Sequence, residues 1–598
     1  MAIKPQPVCS RVLADRYASP GESTSSHIFL RVARALAKAE QPEHREKVFR
    51  QFMQNMRWGA IGAGRIMANA GTSESATMVN CFVHPIALGG RNPPFDDGLA
   101  QARITLIMGG GVGYDFSQLP PASAHVDEKS SVPSVCAAID RYDQASLQLP
   151  FEGSRRGAQM AVLACTHPDL PEFVQAKRCR RRWSTFNISV AVTDEFMRAV
   201  LDDSTWPLVH SAKPDARSMA RGARQLPDGN WLYGLESARE LWGVMTEEAL
   251  ISSEPGLLYI DKINRANNLR AIETITATNP CGEQPLPPYG SCVLGPINLT
   301  RLVVNPFGST GVPRIDWPRL AVMTRTQVRL LDNVLELTNW PIPSQAVEAF
   351  SKRRIGVGIT GLADMLAMLR LRYDDDSGRS MARAVVRFIR DHAYAASAAL
   401  AAERGPFPCY RECDYLAKGA IGETLPFPVR DAIKKHGLRN SHLLSVAPTG
   451  SVSLAFADNC SNGVEPAYDW SYSRTVRFKG SPPMETMVEN HAWRLWKHLH
   501  GEGARLPGYF ANAASISPNN HVAMLAAIQP YVDASVSKTV PIATDCSKEF
   551  VQALFMRAWN LGLKGLTVFR PDPRMDAVMR AVSARTSGPE SSECGVCA

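Results

Sequence analysis

Long apolar runs are missing from this chain of 598 residues. No stretch approaches the roughly 20 consecutive apolar residues that a membrane span needs. The first residues, MAIKPQPVCSRVLADRY, lack the apolar core of a secretory signal. Hydrophobic residues make up 45% and charged residues 21%, which is typical of a folded protein and argues against a disordered or fibrous one. We therefore predict a cytoplasmic protein that has no membrane partner.

A strong excess of one charge is also missing. The formal net charge is +9, and most basic residues are scattered among acidic ones. The exception is the run KRCRRRW at 177–183, which could contact phosphates. A short basic run specifies little without a fold around it, so a solvated turn is the favoured interpretation. Nucleic acid is not predicted as a partner.

Regular cysteine spacing is absent as well. The thirteen cysteines are dispersed and odd in number, which excludes a disulfide scaffold and leaves some thiols for the core and some for chemistry. One CxxC pair, Cys594 and Cys597, lies in the last five residues. A zinc site would need two more ligands at similar spacing, and none follows, so no metal site is predicted.

The hydrophobic pattern predicts an α/β protein. Helical spacing dominates the region 1–80, where apolar residues recur at Ile28, Phe29, Val32, Ala33 and Leu36. From Cys81 onward, short apolar runs such as ARITLIMGGGVGYDF alternate with amphipathic helices and glycine turns, which indicates parallel strands. STFNISVAVTDEFMRAVL predicts a strand and then a helix that begins at Thr193 or Asp194.

Two further segments have their own composition. Residues 206–233 predict a hairpin excursion, because two aromatic-flanked strands surround a polar loop. Residues 574–598 are rich in small and polar side chains, which predicts a flexible tail with the CxxC pair near its end.

Three glycine-containing segments are candidates for nucleotide sites. In GAIGAGRIMANAG the third glycine of the dinucleotide fingerprint falls on Met67, so that match fails. In MGGGVGYDF a structural turn is about as well supported as a binding loop. The segment 444–466 is stronger, because an apolar strand runs into hydroxyls and a helix start, where free N–H groups favour anions. An ordinary side-chain N-cap is the alternative; the candidate phosphate residues are Thr449, Gly450, Ser451, Val452 and Ser453.

The segment NPCGEQPLPPYGSCVLGPINL carries the most reactive set. Asn279, Cys281 and Glu283 occupy alternate positions, and the prolines that follow exclude a helix. An extended segment projects alternate residues to one side, whereas a helix would spread them around its axis. We therefore expect an amide, a thiol and a carboxylate aimed at one point, with a second thiol, Cys292, further along.

This segment closely resembles the active-site loop of ribonucleotide reductase large chains. MVNCFVHP, GGGVGYDFSQLPP, GSRRGAQMAVLACTHPDLPEFVQAK, APTGSVSLAFADNCSNGVEP and AWNLGLKGLTVFRPDP occur in the family's order. The resemblance implies a ten-stranded α/β barrel with a central finger loop. It divides the chain into a helical region (1–80), a catalytic barrel (81–573) and a tail (574–598).

The resemblance also implies roles. Cys281 becomes the thiyl radical that removes hydrogen from C3′ of the ribose, Glu283 accepts the 3′-hydroxyl proton as general base, and Asn279 holds the ribose hydroxyls. Cys81 and Cys292 match the pair that becomes a disulfide as the 2′-hydroxyl leaves as water. Seven other cysteines match no family position and are predicted to be ordinary thiols: Cys136, Cys165, Cys179, Cys409, Cys413, Cys460 and Cys546.

Partners follow from the same resemblance. A disulfide inside a barrel must be reduced by thiol exchange, so Cys594 and Cys597 are predicted to carry electrons from thioredoxin or glutaredoxin. EGSRRGAQM matches the loop that links effector binding to base choice, with Arg155, Arg156 and Gln159 as candidates. That effector site normally lies at a dimer interface, which predicts a homodimer. No ATP-cone precedes the helical region, so overall control by dATP is not expected.

The radical source follows from elimination. Thr567, Val568 and Phe569 lie where reductases with a separate radical-generating subunit carry two adjacent tyrosines. The glycyl-radical class lacks the equivalent of Glu283. The chain therefore resembles class II reductases, in which adenosylcobalamin generates the radical and the protein positions it, although the DxHxxG signature of base-off cobalamin enzymes is absent. Val293 and Pro296 depart from the family's usual Asn and Ser.

The predicted function is reduction of ribonucleotides, with diphosphates favoured, to deoxyribonucleotides for DNA synthesis. Three alternatives stay open: a large subunit that needs a separate radical-generating subunit, a non-catalytic nucleotide-binding relic, and a zinc protein built on the terminal CxxC. The relic is disfavoured because a relic does not need to keep five reactive groups.

Overall fold

A computed structural model shows how the chain folds. It describes residues 3–73, 75–86, 94–125, 133–149, 157–178, 182–476, 478, 481–570 and 579–581. Among these residues no helix is both long and apolar enough to cross a membrane.

The N-terminal region is helical, as predicted. It contains α1 (Pro7–Arg16), α2 (Ser25–Leu36), α3 (Pro42–Trp58) and α4 (Gly64–Asn69). The predicted apolar positions of α2 are all buried, and the Thr24 side chain accepts a hydrogen bond from His27 N at its start. Gly59, at φ 107°, ends α3 in the left-handed region that favours glycine.

The remaining helices are distributed along the rest of the chain. They are α5 (Phe95–Ile107), α6 (Val135–Leu147), α7 (Leu170–Gln175), α8 (Asp194–Leu201), α9 (Ala216–Ala220), α10 (Ala238–Ser252), α11 (Ile260–Arg265), α12 (Trp317–Leu337), α13 (Pro343–Lys352), α14 (Leu362–Met368), α15 (Asp376–Arg404), α16 (Glu412–Leu416), α17 (Phe427–His436), α18 (Gly450–Phe456), α19 (His491–His500), α20 (Pro518–Ile528) and α21 (Lys548–Asn560).

The strands alternate with these helices. They are β1 (Cys81–His84), β2 (Gly111–Asp115), β3 (Gln159–Ala164), β4 (Phe186–Val192), β5 (Thr205–His210), β6 (Arg224–Gln225), β7 (Trp231–Ser237), β8 (Gly256–Tyr259), β9 (Ala277–Thr278), β10 (Pro285–Leu286), β11 (Ser291–Asn298), β12 (Val303–Val304), β13 (Arg314–Ile315), β14 (Ile355–Thr360), β15 (Ser471–Val476), β16 (Met484–Glu489), β17 (Thr539–Pro541), β18 (Gly565–Phe569) and β19 (Met579–Ala581).

One nine-stranded sheet organises the molecule, in the order β14-β11-β1-β2-β3-β4-β8-β18-β17. Its five central strands, β1 to β4 and β8, are mutually parallel. β11 and β14 run antiparallel to them at one side, and β18 and β17 do so at the other. Buried strands of this kind, such as IGVGIT in β14, are apolar because helices or loops cover both faces. The α/β prediction is confirmed, whereas this pairing does not close into a ten-stranded barrel.

The segment that precedes the predicted phosphate loop lies between β14, at one end of this sheet, and residues 535–537, which lead into β17 at the other end. Val357 of β14 donates to Leu443 O at 2.7 Å and accepts from Ser445 N at 3.2 Å. On its other side, Val446 donates to Ser535 O at 3.1 Å and accepts from Ser537 N at 2.9 Å. The pairings are parallel.

The predicted local features are largely confirmed. Thr193 caps α8 by accepting from Phe196 N at 3.1 Å, directly after β4. The excursion at 206–233 is the β5-β7-β6 sheet. The apolar run ARITLIMGGGVGYDF, in contrast, is divided: its first part ends α5 and its second part forms β2. Part of the predicted tail, Met579–Ala581, forms β19 and pairs with β15 through main-chain bonds that composition does not reveal.

Candidate active site

The finger segment is a tight hairpin. β9 and β10 pair antiparallel, and Asn279 N donates to Gln284 O at 3.1 Å. Gly282 N donates to Asn279 O at 3.1 Å, with Gly282 at φ +81°. The expectation of an extended segment is therefore wrong at the tip, because a glycine in the left-handed region turns the chain. The turn itself brings the three reactive side chains to one cavity.

Neighbouring strands fix this hairpin from several sides. A Cβ on Gly113 of β2 would lie 1.8 Å from Thr278 O, so only glycine allows the loop to pass. Asn187 of β4 donates to Pro280 O at 2.9 Å. Ser445 Oγ and Ser535 N each donate to Glu283 O at 3.0 Å. The glycine motif GGGVG thus serves close backbone approach, the purpose that the sequence left open.

Asn279, Cys81 and Glu283 form one polar cluster. Asn279 Nδ2 donates to Cys81 Sγ at 3.0 Å, and its Oδ1 accepts from Gln284 N at 3.0 Å. The Cys81 thiol donates to Glu283 Oε1 at 3.8 Å. Glu283 Oε2 is buried with no hydrogen-bond partner among the described residues. A buried acceptor of this kind requires a donor, and a ligand hydroxyl would supply one.

Burial controls protonation in this cluster. Removal from water raises the pKa of Glu283 to about 7, although Asn279 and Cys81 oppose the shift through hydrogen bonds. The carboxyl group is therefore poised to gain or lose a proton near neutral pH, which is the property that a general base requires.

Cys81 and Cys292 lie directly opposite each other on the antiparallel strands β1 and β11. Opposed residues in such a ladder have Cα atoms about 4.5–5.5 Å apart, which falls within the span of about 4.4–6.8 Å that a disulfide bridges. Both are free cysteines. Burial raises the pKa of each well above its usual value, so both remain protonated thiols and can supply hydrogen along with electrons.

Asn279, Glu283 and Cys81 line a cavity of about 370 Å³, which we call the first cavity. Cys281 is exposed to it at the tip of the hairpin. Its lining also includes Arg65, Asn80, Cys81, Asn279, Glu283, Ser445, Thr449, Gly450, Ser451 and Val452. The reactive cluster and the predicted phosphate loop thus line the same cavity.

Four of the five residues of the predicted phosphate loop line the first cavity. The Thr449 hydroxyl lies 2.8 Å from Thr360 Oγ1 and accepts from Gly463 N at 3.0 Å. It makes no cap to α18, so the interpretation as an ordinary side-chain N-cap is wrong. Ser453 lies outside the lining, and its hydroxyl donates to Asn462 Oδ1 at 2.7 Å. Ser453 therefore stabilises the loop through this hydrogen bond without lining the cavity.

A second cavity, of about 400 Å³, is also lined by Cys281. Its lining includes Asn187, Ser189, Gly256, Cys281, Gly282, Gly565, Thr567, Val568 and Phe569. A Cβ on Gly256 would lie 2.9 Å from Thr567 Oγ1 and 3.1 Å from Ser189 Oγ. Glycine therefore keeps this cavity open. Cys281 is common to both cavities.

The other predicted residues lie elsewhere. Gln159 is buried, and its amide nitrogen donates to Ser146 Oγ at 2.8 Å and Thr185 Oγ1 at 2.9 Å, which links β3 to α6. Arg155, Arg156, Cys594 and Cys597 lie outside the described residues, as does Cys179.

The basic run at 177–183 is ion-paired where the structure describes it. Lys177 pairs with Glu254 at 2.8 Å and Arg182 with Asp140 at 2.8 Å, and Arg178 pairs with Glu248. Of the cysteines without a predicted role, Cys136, Cys165 and Cys460 are buried, Cys409 and Cys546 are half-buried, and Cys413 is exposed. The described residues contain no cluster of His, Cys, Asp and Glu that could hold a metal ion.

Sequence reasoning missed several residues of the first cavity. Asn80, whose Oδ1 is buried without a partner among the described residues, stands beside Cys81 in the quoted motif MVNCFVHP. Arg65 lies in α4, within the segment GAIGAGRIMANAG, whose pattern was compared only with a dinucleotide fingerprint. Ser445 precedes the phosphate loop, and its contact with Glu283 spans 162 positions. Adjacency to Cys81 was a usable signal for Asn80, whereas Ser445 carried none.

Comparisons with known proteins agree with this geometry. Two family models match: the ribonucleotide reductase all-alpha domain over residues 4–75 and the ribonucleotide reductase barrel domain over residues 95–569.

Curated relatives carry related names. A vitamin B12-dependent ribonucleoside-diphosphate reductase of Mycobacterium tuberculosis is 32% identical over 598 residues, covering 96% of this chain and 80% of the relative. A protein of the same name from Thermoplasma acidophilum is 31% identical, covering 88% of this chain and 65% of the relative. The ribonucleoside-diphosphate reductase large subunit of vaccinia virus is 25% identical, covering 86% and 70%. The chain therefore belongs to the ribonucleotide reductase family.

Proposed function

We propose that this chain reduces ribonucleoside diphosphates to 2′-deoxyribonucleoside diphosphates with adenosylcobalamin as cofactor. The observation that carries the proposal is that Cys281, Glu283, Asn279 and Cys81 line the first cavity, with Cys292 directly opposite Cys81 on the neighbouring strand. The diphosphate level and the cobalamin dependence are supported by the names of the relatives from Mycobacterium tuberculosis and Thermoplasma acidophilum.

Cys281 would be the radical-bearing residue. As a thiyl radical it would take a hydrogen atom from C3′ of the ribose and return one to C3′ at the end of the cycle. Its exposure at the hairpin tip supports this role, as does the hold of Asn187 on the preceding carbonyl. A reacting atom on a fixed backbone lies close to its attack geometry before the substrate arrives.

Glu283 and Asn279 would contact the ribose hydroxyls, and Glu283 would accept a proton from one of them. The free Oε2 of Glu283 would accept the 3′-hydroxyl proton, a transfer suited to a carboxyl group with a pKa of about 7. Asn279 holds the Cys81 sulfur with its amide hydrogen and would also contact the ribose. These hydrogen bonds thus connect Glu283, the proposed base, and Asn279 with Cys81, one member of the thiol pair.

Cys81 and Cys292 would supply the electrons. Loss of the 2′-hydroxyl as water requires one proton, and replacement of oxygen by hydrogen at C2′ requires two electrons and a second proton. Two thiols that become one disulfide supply two electrons and two protons, so the reaction balances. The raised pKa of both cysteines supports this use, because a thiol, unlike a thiolate, carries the hydrogen.

The substrate phosphates would lie in the first cavity against Thr449, Gly450, Ser451 and Val452. Main-chain N–H groups at the start of α18 and the Ser451 hydroxyl would donate to phosphate oxygens.

The second cavity fits the adenosyl part of the cofactor. Gly256 keeps its floor open, and Gly282 and Gly565 also line it. Adenosylcobalamin, when bound, supplies by homolysis of its cobalt–carbon bond a radical that can take hydrogen from a thiol. Thr567, Val568 and Phe569, which stand where a tyrosine relay would lie, line this cavity. That position supports direct access of a cofactor to Cys281 and disfavours a separate radical-generating subunit.

The finer architecture belongs to the same proposal. With the segment 443–446 counted as a strand between β14 and residues 535–537, the sheet would close as a ten-stranded barrel around the finger hairpin; the hydrogen bonds on both sides of that segment support the closure. Residues 1–80 would form a helical region, 81–573 the catalytic barrel and 574–598 the tail.

Further partners are proposed from the family resemblance. Cys594 and Cys597 would pass electrons from thioredoxin or glutaredoxin to the disulfide of Cys81 and Cys292. Arg155, Arg156 and Gln159 would belong to an effector-linked loop at a homodimer interface. We propose a cytoplasmic location on the same basis.

The test is conversion of CDP and CTP to their deoxy forms by the purified full chain, with dithiothreitol as reductant and with effector nucleotides. Reactions with and without adenosylcobalamin, and with Cys281→Ala, complete the design. We expect cobalamin-dependent dCDP that disappears in the variant. Preference for CTP would refute the diphosphate level, and absence of product under every cobalamin and effector condition would refute the function.

A further inference from the structure

Tyr17 connects the N-terminal helices to the phosphate loop. It follows α1 directly, and its side chain is 2% exposed. Its hydroxyl lies 2.8 Å from Ser451 Oγ, a contact between residues 434 positions apart. Ser451 lines the first cavity. A residue outside the sheet therefore contacts the part of the cavity that faces the substrate phosphates.

Packing holds the Tyr17 ring in place. The ring meets Phe456 of α18 edge to face, with centroids 4.9 Å apart, and Phe29 of α2 stacks on Phe456 at 5.8 Å. Arg31 Nη2 donates to Tyr17 O at 2.9 Å, and Arg31 pairs with Glu22 at 2.9 Å. Because ring and backbone are both held, the hydroxyl has a fixed position.

The donor in the contact between Tyr17 and Ser451 follows from the number of hydrogens that each hydroxyl carries. A serine hydroxyl carries one hydrogen and can accept at its oxygen, whereas an ionised phosphate offers acceptors. Ser451 can donate to a phosphate only if its hydrogen points into the cavity. The Tyr17 contact is compatible with that orientation only if the tyrosine hydroxyl is the donor.

We propose that Tyr17 is a positioning residue that donates to Ser451 Oγ and thereby turns the Ser451 hydroxyl hydrogen toward the substrate phosphate. This inference rests on the proposed function, because it assigns part of the first cavity to phosphate. It adds to the substrate site a residue at the end of α1, which does not itself line the first cavity.

The test measures nucleotide binding separately from turnover. CDP and pyrophosphate are titrated calorimetrically into the full chain carrying Cys281→Ala, with and without Tyr17→Phe. We expect Tyr17→Phe to raise the Kd of both ligands about threefold to tenfold, as expected for loss of one hydrogen bond. In the chain with Cys281 intact, KM for CDP should rise by the same factor and kcat should stay within about twofold.

Tyr472→Phe is the matched control. Tyr472 is also buried near α18, but its hydroxyl accepts from Asn459 Nδ2 at 3.2 Å, away from the first cavity. Loss of that hydroxyl should leave both Kd values unchanged. Ser451→Ala tests the coupling, because Tyr17→Phe should add nothing to it if the tyrosine acts through Ser451.

Several outcomes would overturn the inference. Equal Kd values with and without Tyr17→Phe would do so, as would an equal loss in Tyr472→Phe or full additivity with Ser451→Ala. A wild-type chain that binds CDP but reduces no ribonucleotide would overturn the proposed function and leave the Tyr17 contact to be judged by binding. Absence of CDP binding would overturn both.

Discussion

The two cavities that meet at Cys281 are similar in volume, about 370 and 400 Å³, and different in chemistry. The first is lined by a second thiol, Cys81, and by an amide and a carboxyl group with a shifted pKa. The second is lined mostly by glycines, hydroxyls and apolar side chains, and its two charged residues, Glu254 and Lys538, are already paired with Lys177 and Glu465. The first cavity therefore contains groups that can transfer protons and electrons, whereas the second cavity provides mainly open volume.

This contrast explains why the hairpin is rigid and the cavities are open. Asn187, Ser445 and Ser535 hold the hairpin through its backbone carbonyls, which leaves the side chains to the first cavity. Gly256 and Gly282 keep atoms out of the second cavity. The Cys281 thiol could then react with a radical source in the second cavity and with a substrate in the first.

Removal of the shared thiol should have the largest effect. Cys281→Ser keeps the size of the side chain but replaces S–H with an O–H bond that is harder to cleave homolytically. We expect no detectable dCDP, with CDP affinity unchanged by calorimetry. Product formation by this variant would mean that the two cavities do not act through Cys281.

Loss of the carboxylate should affect the first cavity alone. Glu283→Gln preserves the shape and removes the base, so kcat should fall by about 10²- to 10⁴-fold, the usual contribution of general base catalysis. The cobalamin concentration for half-maximal activity should not change. A change in kcat below about threefold would assign the proton transfer to another group.

Filling the second cavity should affect the cofactor alone. Gly256→Ala places a methyl group 2.9 Å from Thr567 Oγ1, so the local structure must shift or the cofactor must lose room. We expect the adenosylcobalamin concentration for half-maximal activity to rise about tenfold, which is about 1.4 kcal/mol, with CDP Kd unchanged by calorimetry. Gly508→Ala, whose Cβ would meet nothing within 4 Å, is the control. An equal effect in both variants would contradict the placement of the cofactor in the second cavity.

The sequence predicted the reactive residues better than their arrangement. Asn279, Cys281, Glu283, Cys81 and Cys292 carried motif information, and the structure brings all but Cys292 into the lining of one cavity, with Cys292 opposite Cys81. The extended conformation was wrong because Gly282 allows a turn that side-chain alternation does not encode. Tyr17 and Ser445 left no local signal, since each acts across hundreds of positions. Helix α2 and the Thr193 cap were predictable because their causes are local.

The pH profile should show an effect of about the same size as that of Gly256→Ala, and its sign follows from burial. Desolvation raises the pKa of Glu283 to about 7, and the base is active in its ionised form. Activity should therefore be present above that pKa and be lost as pH falls through it, so kcat/KM for CDP should drop about tenfold between pH 8 and pH 6. Residual activity of Glu283→Gln should stay flat over the same range. Because kcat/KM reports ionisation in the free enzyme, a kcat/KM profile that is level down to pH 5 would contradict either the raised pKa of Glu283 or its role as the base. A kcat that stays level while kcat/KM falls would mean that substrate binding, by bringing a hydroxyl to Glu283 Oε2, restores an ordinary carboxyl pKa in the complex.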